Sequence, residues 1–312
     1  MKSEEVVFIV NPLAGGGRTG RLWPHLKDRI EHDFPRNRIL FTKAPLDALY
    51  MTKEEVRKGS LTTVVAVGGD GTLNEVINGF ISNGTPLRTD VAVGVIPLGT
   101  GCDLARMTLS SFDAGRAVTV IKKRVTRLID IGQVFYPHHC KEKRIRYFHN
   151  ISSFGLGGEV VAHVNTHRRV GSPFFCFLRS TLCTYLRQGI RSITLSIDGK
   201  RQESYTVLNI AVANGRFHGG GLYVAPGACL DDGLLHLTII GNLTLPEIIF
   251  NFPKFYNGEI YTVKKVQSLT CSCLKADSPE RVLVDVDGEQ VGELPVEVSL
   301  LPKLLPLIVE GA

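Results

Sequence analysis

The sequence predicts two domains, an α/β domain at the N-terminus and a β-rich, mostly antiparallel domain after it. Three observations carry this. Apolar, β-rich runs at 6–10, 63–67 and 91–96 each lead directly into a glycine-bearing loop, with helical patterns between them. After Asp130 the rhythm changes to closely spaced strand patterns with Asp-Gly turns at 198–199, 232–233 and 287–288. A length of 312 residues suits two domains at roughly 150 residues each.

The first domain reads as follows. The run 6–10 is a core strand that enters Asn11-Pro12 and Gly15-Gly16-Gly17. A helix is expected over 19–33, interrupted early by Pro24, then a short strand at 38–41 and a helix at 47–58. The run 63–67 is continuously apolar or β-branched, as a strand buried in a parallel sheet should be. It enters Gly68-Gly69-Asp70-Gly71, after which Thr72 is placed to cap a helix. Leu73, Val76, Ile77 and Phe80 would form its inner face, and Asn83-Gly84 its end. The strand 91–96 enters Pro97-Leu98-Gly99-Thr100-Gly101-Cys102-Asp103.

In the second domain, strands are expected at 129–135, 146–152, 192–197, 205–213, 234–240, 266–273 and 281–286, with helical insertions at 173–188 and 245–256. The apolar tail 304–309 follows Pro302 and is expected to return to the first sheet. The boundaries drawn are 1–129 plus 304–312 for the first domain and 130–303 for the second.

Composition narrows the function classes. A hydrophobic share of 44% with 21% charged residues excludes a disordered chain. The net charge of +6 suits an anionic partner, such as a nucleotide or an acidic membrane surface. Basic residues without interleaved aromatics or a recognised motif argue against nucleic acid. Seven cysteines without a CxxC pair exclude a zinc knuckle and suggest a reducing compartment with free, mostly buried thiols. Cys271 and Cys273, two apart, should share one face of a strand. No histidine pair has HExxH spacing. No run reaches 18 apolar residues, so no transmembrane segment is expected. The N-terminal run reads as a core strand instead of a signal peptide, so a cytoplasmic location is expected, with peripheral membrane attachment compatible with it.

The chemistry concentrates at the strand-terminal loops. Glycines let main chain approach an anion, and the N-terminus of the following helix offers N–H groups to phosphate. Asp70 would repel a bare phosphate and makes sense with Mg²⁺ between them, since that ion is usually held by one or two carboxylates. Three such loops after three parallel strands should converge on one sheet edge, where Thr100 could donate to a phosphate and Asp103 could share metal or substrate work. Neither GxGxxG nor GxxxxGK[ST] is present, which argues against a Rossmann grip or a P-loop. Late in the chain Glu289, with Asp287 beside it, is a chemically sound general base.

The order and spacing of these segments resemble the diacylglycerol kinase catalytic-domain superfamily of lipid kinases. Bacterial lipid kinases, sphingosine kinases, ceramide kinases and plant long-chain-base kinase relatives belong to it. The segments are Asn11-Pro12 with its glycines, GGDGTLNEVINGF at 68–80, PLGTGCDLAR at 97–106, FGLGGE at 154–159, FHGGGLYVAPGACLDDGLL at 217–235 and VDGE at 286–289. They cover nearly the whole chain.

The resemblance implies an N-terminal α/β nucleotide-binding domain like that of NAD kinase and phosphofructokinase. It also implies a C-terminal antiparallel β-sandwich, with a nucleotide cleft between the two. ATP would be held by Asn11, Pro12, Gly16, Arg18, Gly68, Gly69, Gly71, Thr72, Glu75, Gly99, Thr100 and Gly101. Asp70 would be tied to the catalytic Mg²⁺, with Asp103 functionally important and Asp287 near the charge. Glu289 would be the general base, and Asp232 would mark a structural Mg²⁺. The implied activity is transfer of the γ-phosphoryl of ATP to a primary hydroxyl of a lipid presented at a membrane.

An amphipathic stretch at 173–188, with Phe174, Phe175 and Phe177, is placed to act as a lid touching that membrane. Two rival readings are an NAD kinase-like small-molecule kinase and a catalytically weak nucleotide or lipid sensor. The second rests on Cys102, where the family usually has Asn. Oligomeric state stays open, a homodimer included.

Overall fold

Strand, loop and helix alternate through the first half of the computed structural model, which describes residues 5–137, 143–157, 182–186, 189–200 and 202–311. The chain divides into two units, 1–131 with 302–312, and 132–301. The first unit contains β1 (Glu5–Val10), α1 (Ala14–Asp33), β2 (Asn37–Phe41), α2 (Asp47–Val56), β3 (Leu61–Gly68) and α3 (Asp70–Phe80). The small hairpin β4 (Ile81–Ser82) and β5 (Thr85–Pro86) follows, then β6 (Ala92–Pro97), α4 (Ala105–Thr108) and α5 (Ala114–Lys123).

Strands β2, β1, β3 and β6 lie side by side and parallel. The end of β19 (Val296–Ile308) adds beside β6, pairing Leu307 with Val93, so the apolar tail completes the sheet as expected. Both faces of this sheet are covered. Val6, Phe8 and Val10 of β1 pack with Trp23, Leu26 and Ile30 of α1 and Val118 and Ile121 of α5. Val7 and Ile9 point the other way and are also fully buried, on the side where α2 and α3 pack. Burial on both faces explains why these strands read as unbroken apolar runs.

The structure moves several expected boundaries. Helix α3 starts at Asp70 with Gly69 as N-cap, so Thr72 lies inside the first turn instead of capping it. The helix ends at Phe80, and Asn83 (φ 49°) and Gly84 (φ 74°) form a two-residue hairpin turn between β4 and β5. Two consecutive left-handed residues are what a type I′ turn requires, and Asn-Gly supplies them readily. Regular helix in α1 begins after Gly17, because Gly15, Gly16 and Gly17 have φ of 61°, 64° and 81°.

The second unit begins within β7 (Thr126–Pro137) and continues with β8 (Lys143–Phe148), β9 (Ile151–Gly155), β10 (Arg191–Ile197), β11 (Glu203–Ala213), β12 (Phe217–His218) and β13 (Leu222–Tyr223). Then come β14 (Leu235–Gly241), α6 (Leu245–Asn251), α7 (Lys254–Asn257), β15 (Val266–Cys271), β16 (Cys273–Asp277), β17 (Leu283–Val286) and β18 (Glu289–Glu293). Neighbours pair antiparallel along the order β18-β17-β9-β11-β10-β16-β19, and β14 joins β11 to β15. Phe148, Phe154, Ile193, Ile210, Leu237 and Val284 form part of the core between these strands.

Two stretches expected as single strands are each split by a carboxylate. The run 266–273 breaks at Ser272, because Asp198 Oδ1 accepts the N–H groups of Ser272 (2.9 Å) and Cys273 (3.0 Å). Cys271 is therefore buried and Cys273 exposed, not on one face. Of the described free thiols only Cys102 and Cys271 are buried, fewer than expected. The run 146–152 breaks at His149-Asn150, where Asp287 takes the main-chain donors. Pro253 separates α6 from α7 within the expected 245–256 helix. Most of the expected lid at 173–188, and the end of FGLGGE, lie outside the described residues; 182–186 is helical.

Helices α2 and α3 approach closely at Gly79. A Cβ there would run into the Leu49 carbonyl oxygen and come within 2.8 Å of Thr52 Cβ. Overpacking of a backbone contact of this kind costs about 3 kcal/mol. Gly79→Ala should therefore lower the urea midpoint of the first unit strongly, while Gly59→Ala, whose Cβ meets nothing within 4 Å, should barely move it.

Candidate functional site

The parallel strands bring three loops to the C-terminal edge of the first sheet. They follow β1, β3 and β6, which are adjacent in the order β6-β3-β1. Main chain knits them together. Leu98 and Gly99 N–H both donate to Gly68 O at 2.9 Å, and Asn11 N–H donates to Val67 O at 3.0 Å. Glycine is required for this approach. A Cβ on Gly99 would collide with Gly69 Cα and lie 2.8 Å from its nitrogen, and one on Gly15 would lie 2.7 Å from Leu98 O. One on Gly68 would lie 2.6 Å from Thr72 Oγ1.

Side chains continue the network. Asn11 Nδ2 donates to Thr72 Oγ1 at 3.1 Å, and Asn11 Oδ1 accepts Leu13 N–H at 3.1 Å. Asp70, in the first turn of α3, accepts the Asp103 N–H on Oδ1 at 2.7 Å. Asp103 is buried, and Arg106 Nε lies 3.4 Å from its Oδ1. Arg106 lies three residues beyond Asp103, and sequence reasoning passed over it; that i,i+3 spacing was the signal. Thr100 is exposed beside these groups, as are Gly16 and Arg18 on the first loop.

Glu75, expected among the ATP contacts, bonds to the start of α2. Its two oxygens accept the N–H groups of Leu46 (2.9 Å) and Ala48 (3.1 Å), so it anchors the start of α2. Asp232 likewise bonds within its own turn, accepting Leu234 N–H on Oδ1 while Oδ2 lies 3.0 Å from His236 Nε2.

The second unit carries a separate polar cluster. Asp287 (φ 49°) and Gly288 (φ 87°) form the two-residue turn of the β17–β18 hairpin, and Glu289 is the first residue after it. Asp287 is buried, and its carboxylate takes three main-chain donors: His149 N–H on Oδ2 and Asn150 and Ile151 N–H on Oδ1, each at 3.0 Å. His149 Nδ1 lies 2.8 Å from Oδ2. The hairpin tip is thus fastened to the corner between β8 and β9. Arg146 on β8 donates to Glu289 Oε2 at 3.0 Å and orients that carboxylate. Asp285 is fully buried on β17, with His218 Nε2 3.2 Å from its Oδ2. Burial pushes the Asp285 carboxyl up to about 7, against the opposing pull of His218. Arg146, His149 and Asp285 were not singled out in the sequence, because their partners lie about 140 residues away along the chain or on other strands.

The donor set agrees with magnesium carried in on phosphates. Among the described residues no group of three or more His, Cys, Asp or Glu could cage a metal. One carboxylate, Asp70, stands at a glycine-walled loop and a helix N-terminus instead. This matches an ion that keeps waters and phosphate oxygens among its ligands. Gly16, left-handed and with open space around its would-be Cβ, leaves room beside the loops.

Cys102 is the residue out of character. It sits at φ 52°, a conformation that Asn tolerates and most side chains do not. Its Sγ lies 4.0 Å from Gly68 O. Burial, reinforced by the Asp70 charge, pushes its thiol up to about 12. Both effects favour the neutral thiol over the thiolate, the nucleophilic form. Cys102→Asn should stabilise the chain by about 1 kcal/mol in urea unfolding, by relieving the left-handed strain. Iodoacetamide at neutral pH should modify exposed Cys273 and spare Cys102 until the chain unfolds.

Comparison with known proteins agrees with this geometry. The family model "Diacylglycerol kinase catalytic domain" matches residues 5–134, and "YegS C-terminal NAD kinase beta sandwich-like domain" matches residues 150–309. The chain is 29% identical over 300 residues to the diacylglycerol kinase of Bacillus subtilis (strain 168), covering 95% of this chain and 93% of that protein. It is 24% identical over 305 residues to the diacylglycerol kinase of Mycobacterium tuberculosis (strain ATCC 25618 / H37Rv), covering 97% and 94%. A crystal structure of a diacylglycerol kinase from Bacillus anthracis str. Sterne superposes with a TM-score of 0.71 at 21% identity, covering 99% of this chain and 98% of that one. Yeast NADH kinase complexed with NADH superposes with a TM-score of 0.53 at 15% identity, covering 99% and 84%. The structural likenesses show the shared fold, an α/β domain followed by a β-sandwich. With one family model over each half, the chain belongs to the diacylglycerol kinase catalytic-domain superfamily and carries a YegS-type β-sandwich as its second half.

Proposed function

We propose that this protein is an ATP-dependent lipid kinase that transfers the γ-phosphoryl group to a primary hydroxyl of a lipid. The observation that carries the lipid half of the reading is an apolar cavity of about 80 Å³ inside the second unit. Ile151, Leu208, Leu222, Ile240, Ile248 and Phe252 are among its walls, with room for a short stretch of hydrocarbon. Strand β9 supplies Ile151 and Ser153 to that wall. The same strand pairs with β17, and the Ile151 N–H holds Asp287 of the hairpin bearing Glu289. An apolar chain in the cavity and a carboxylate on the adjoining hairpin suit a lipid alcohol.

The residues divide the work. Main-chain N–H groups of the glycine loops and of the first turn of α3 bind the phosphates, with Asn11 holding Thr72 in place. Arg18 and Thr100 add a charge and a hydroxyl at the rim. Asp70, its rotamer fixed by the Asp103 N–H, would hold magnesium, with Asp103 nearby. When bound, that ion neutralises charge on the phosphates. Glu289 accepts the proton of the acceptor hydroxyl, and Arg146 and Asp287 position it. Asp287 serves as a clamp in this scheme, and Glu75 and Asp232 take structural roles. Positioning and electrostatics supply most of the acceleration.

The test is a radiolabelled ATP-Mg²⁺ assay on micellar diacylglycerol, monoacylglycerol, sphingoid base, ceramide and phosphatidylglycerol, with NAD as a further acceptor. A labelled lipid absent from the Asp70→Asn reaction establishes the activity. Label on NAD alone, or on nothing despite ATP binding, overturns it. Glu289→Gln should lose about a hundredfold or more in kcat with ATP affinity intact, as loss of a general base does; unchanged kcat would remove Glu289 from the mechanism.

A further inference from the structure

Helix α6 turns two large apolar side chains to solvent. Phe250 is 81% exposed and Ile249 54%. Their neighbours Ile248 and Phe252 are each 3% exposed and wall the apolar cavity. One short helix therefore closes the cavity on its inner side and presents bare hydrocarbon on its outer side.

A second element repeats the pattern. In the helical stretch 182–186, Leu182 and Tyr185 pack on the cluster that contains Ile248, Leu243 and Ile260, while Leu186 is 72% exposed. Lysines flank α6. Lys254 opens α7, Lys265 donates to Glu247 Oε2 on α6 at 2.8 Å, and Lys264 beside it is exposed. Glu247 is committed to that lysine and to the Thr244 N–H, and Glu259 accepts from Asn257 Nδ2. Exposed apolar side chains on a helix with one lysine just past its end and another paired to its Glu247 suit the interfacial zone of an anionic bilayer.

We propose that α6 is a membrane-docking element, with Ile249 and Phe250 inserting into an anionic lipid bilayer. The occupant is a bilayer because the inner face of the same helix walls an apolar cavity, so a lipid chain leaving the membrane would meet the helix that closes it. The choice of a bilayer as occupant rests on the proposed lipid acceptor. No helix among the described residues is long and apolar enough to cross a membrane.

The test is flotation of the full chain with phosphatidylcholine–phosphatidylglycerol vesicles. The wild type should float, and Ile249→Ser/Phe250→Ser should lose about tenfold or more in partitioning. Its melting temperature and its turnover of a water-soluble short-chain diacylglycerol should be unchanged, while KM for vesicle-borne lipid rises. Phe250→Trp should keep binding and be quenched by brominated lipid, which decides the matter even if the double variant folds poorly. A wild type that does not float, a double variant that floats equally well, or an unquenched Trp overturns the proposal. So does a dimer that the double substitution converts to monomer with flotation unaltered, which would give the face to a second copy. α6-dependent flotation of a chain that phosphorylates no lipid would leave docking standing and remove the proposed activity.

Discussion

The contact of Gly69 with Gly99 governs the first unit's site. The loops after β3 and β6 touch through bare main chain, and no other residue type fits at Gly99. Because the loops touch, Gly68 O can accept two N–H groups from the neighbouring loop. Because that loop is held, the Asp103 N–H reaches Asp70 and fixes its carboxylate. The sheet order brings the Asn11 loop to the same edge, where it holds Thr72. Each polar contact depends on a glycine that leaves room for it.

The second unit solves its own positioning problem by burying a carboxylate. Asp287 sits at the tip of a tight hairpin and would be costly to bury alone. Three main-chain donors compensate it, and the His149 ring lies beside it. The result is that Glu289, two residues further along, is held near the β8–β9 corner and oriented by Arg146. The same β9 forms part of the apolar cavity wall, so one strand borders both the polar cluster and the apolar cavity.

What the sequence made legible follows from local physics. Unbroken apolar runs ending in glycine loops identified the parallel strands and the three loops, because burial on both faces and close main-chain approach each leave a compositional trace. Segment order identified the family. What was missed depends on contacts distant in sequence. Glu75 lay in the motif helix, yet its oxygens serve the start of α2. The strand breaks at 149–150 and 272 are made by Asp287 and Asp198, about 140 and 75 residues away. Asn83-Gly84 fits both a helix end and a hairpin turn, and only the pairing of Ser82 with Thr85 decides it. The departure at Cys102 was visible, but its left-handed backbone was not.

The most direct measurement is calorimetric titration of Gly99→Ala with ATP and Mg²⁺, alongside the wild type and Gly59→Ala. Displacing the loops by an ångström should cost about a hundredfold in nucleotide affinity for Gly99→Ala while its circular dichroism stays native, and Gly59→Ala should bind like the wild type. Native-strength ATP binding by folded Gly99→Ala would contradict the account, because the loops would then hold nucleotide without the contact that brings them together.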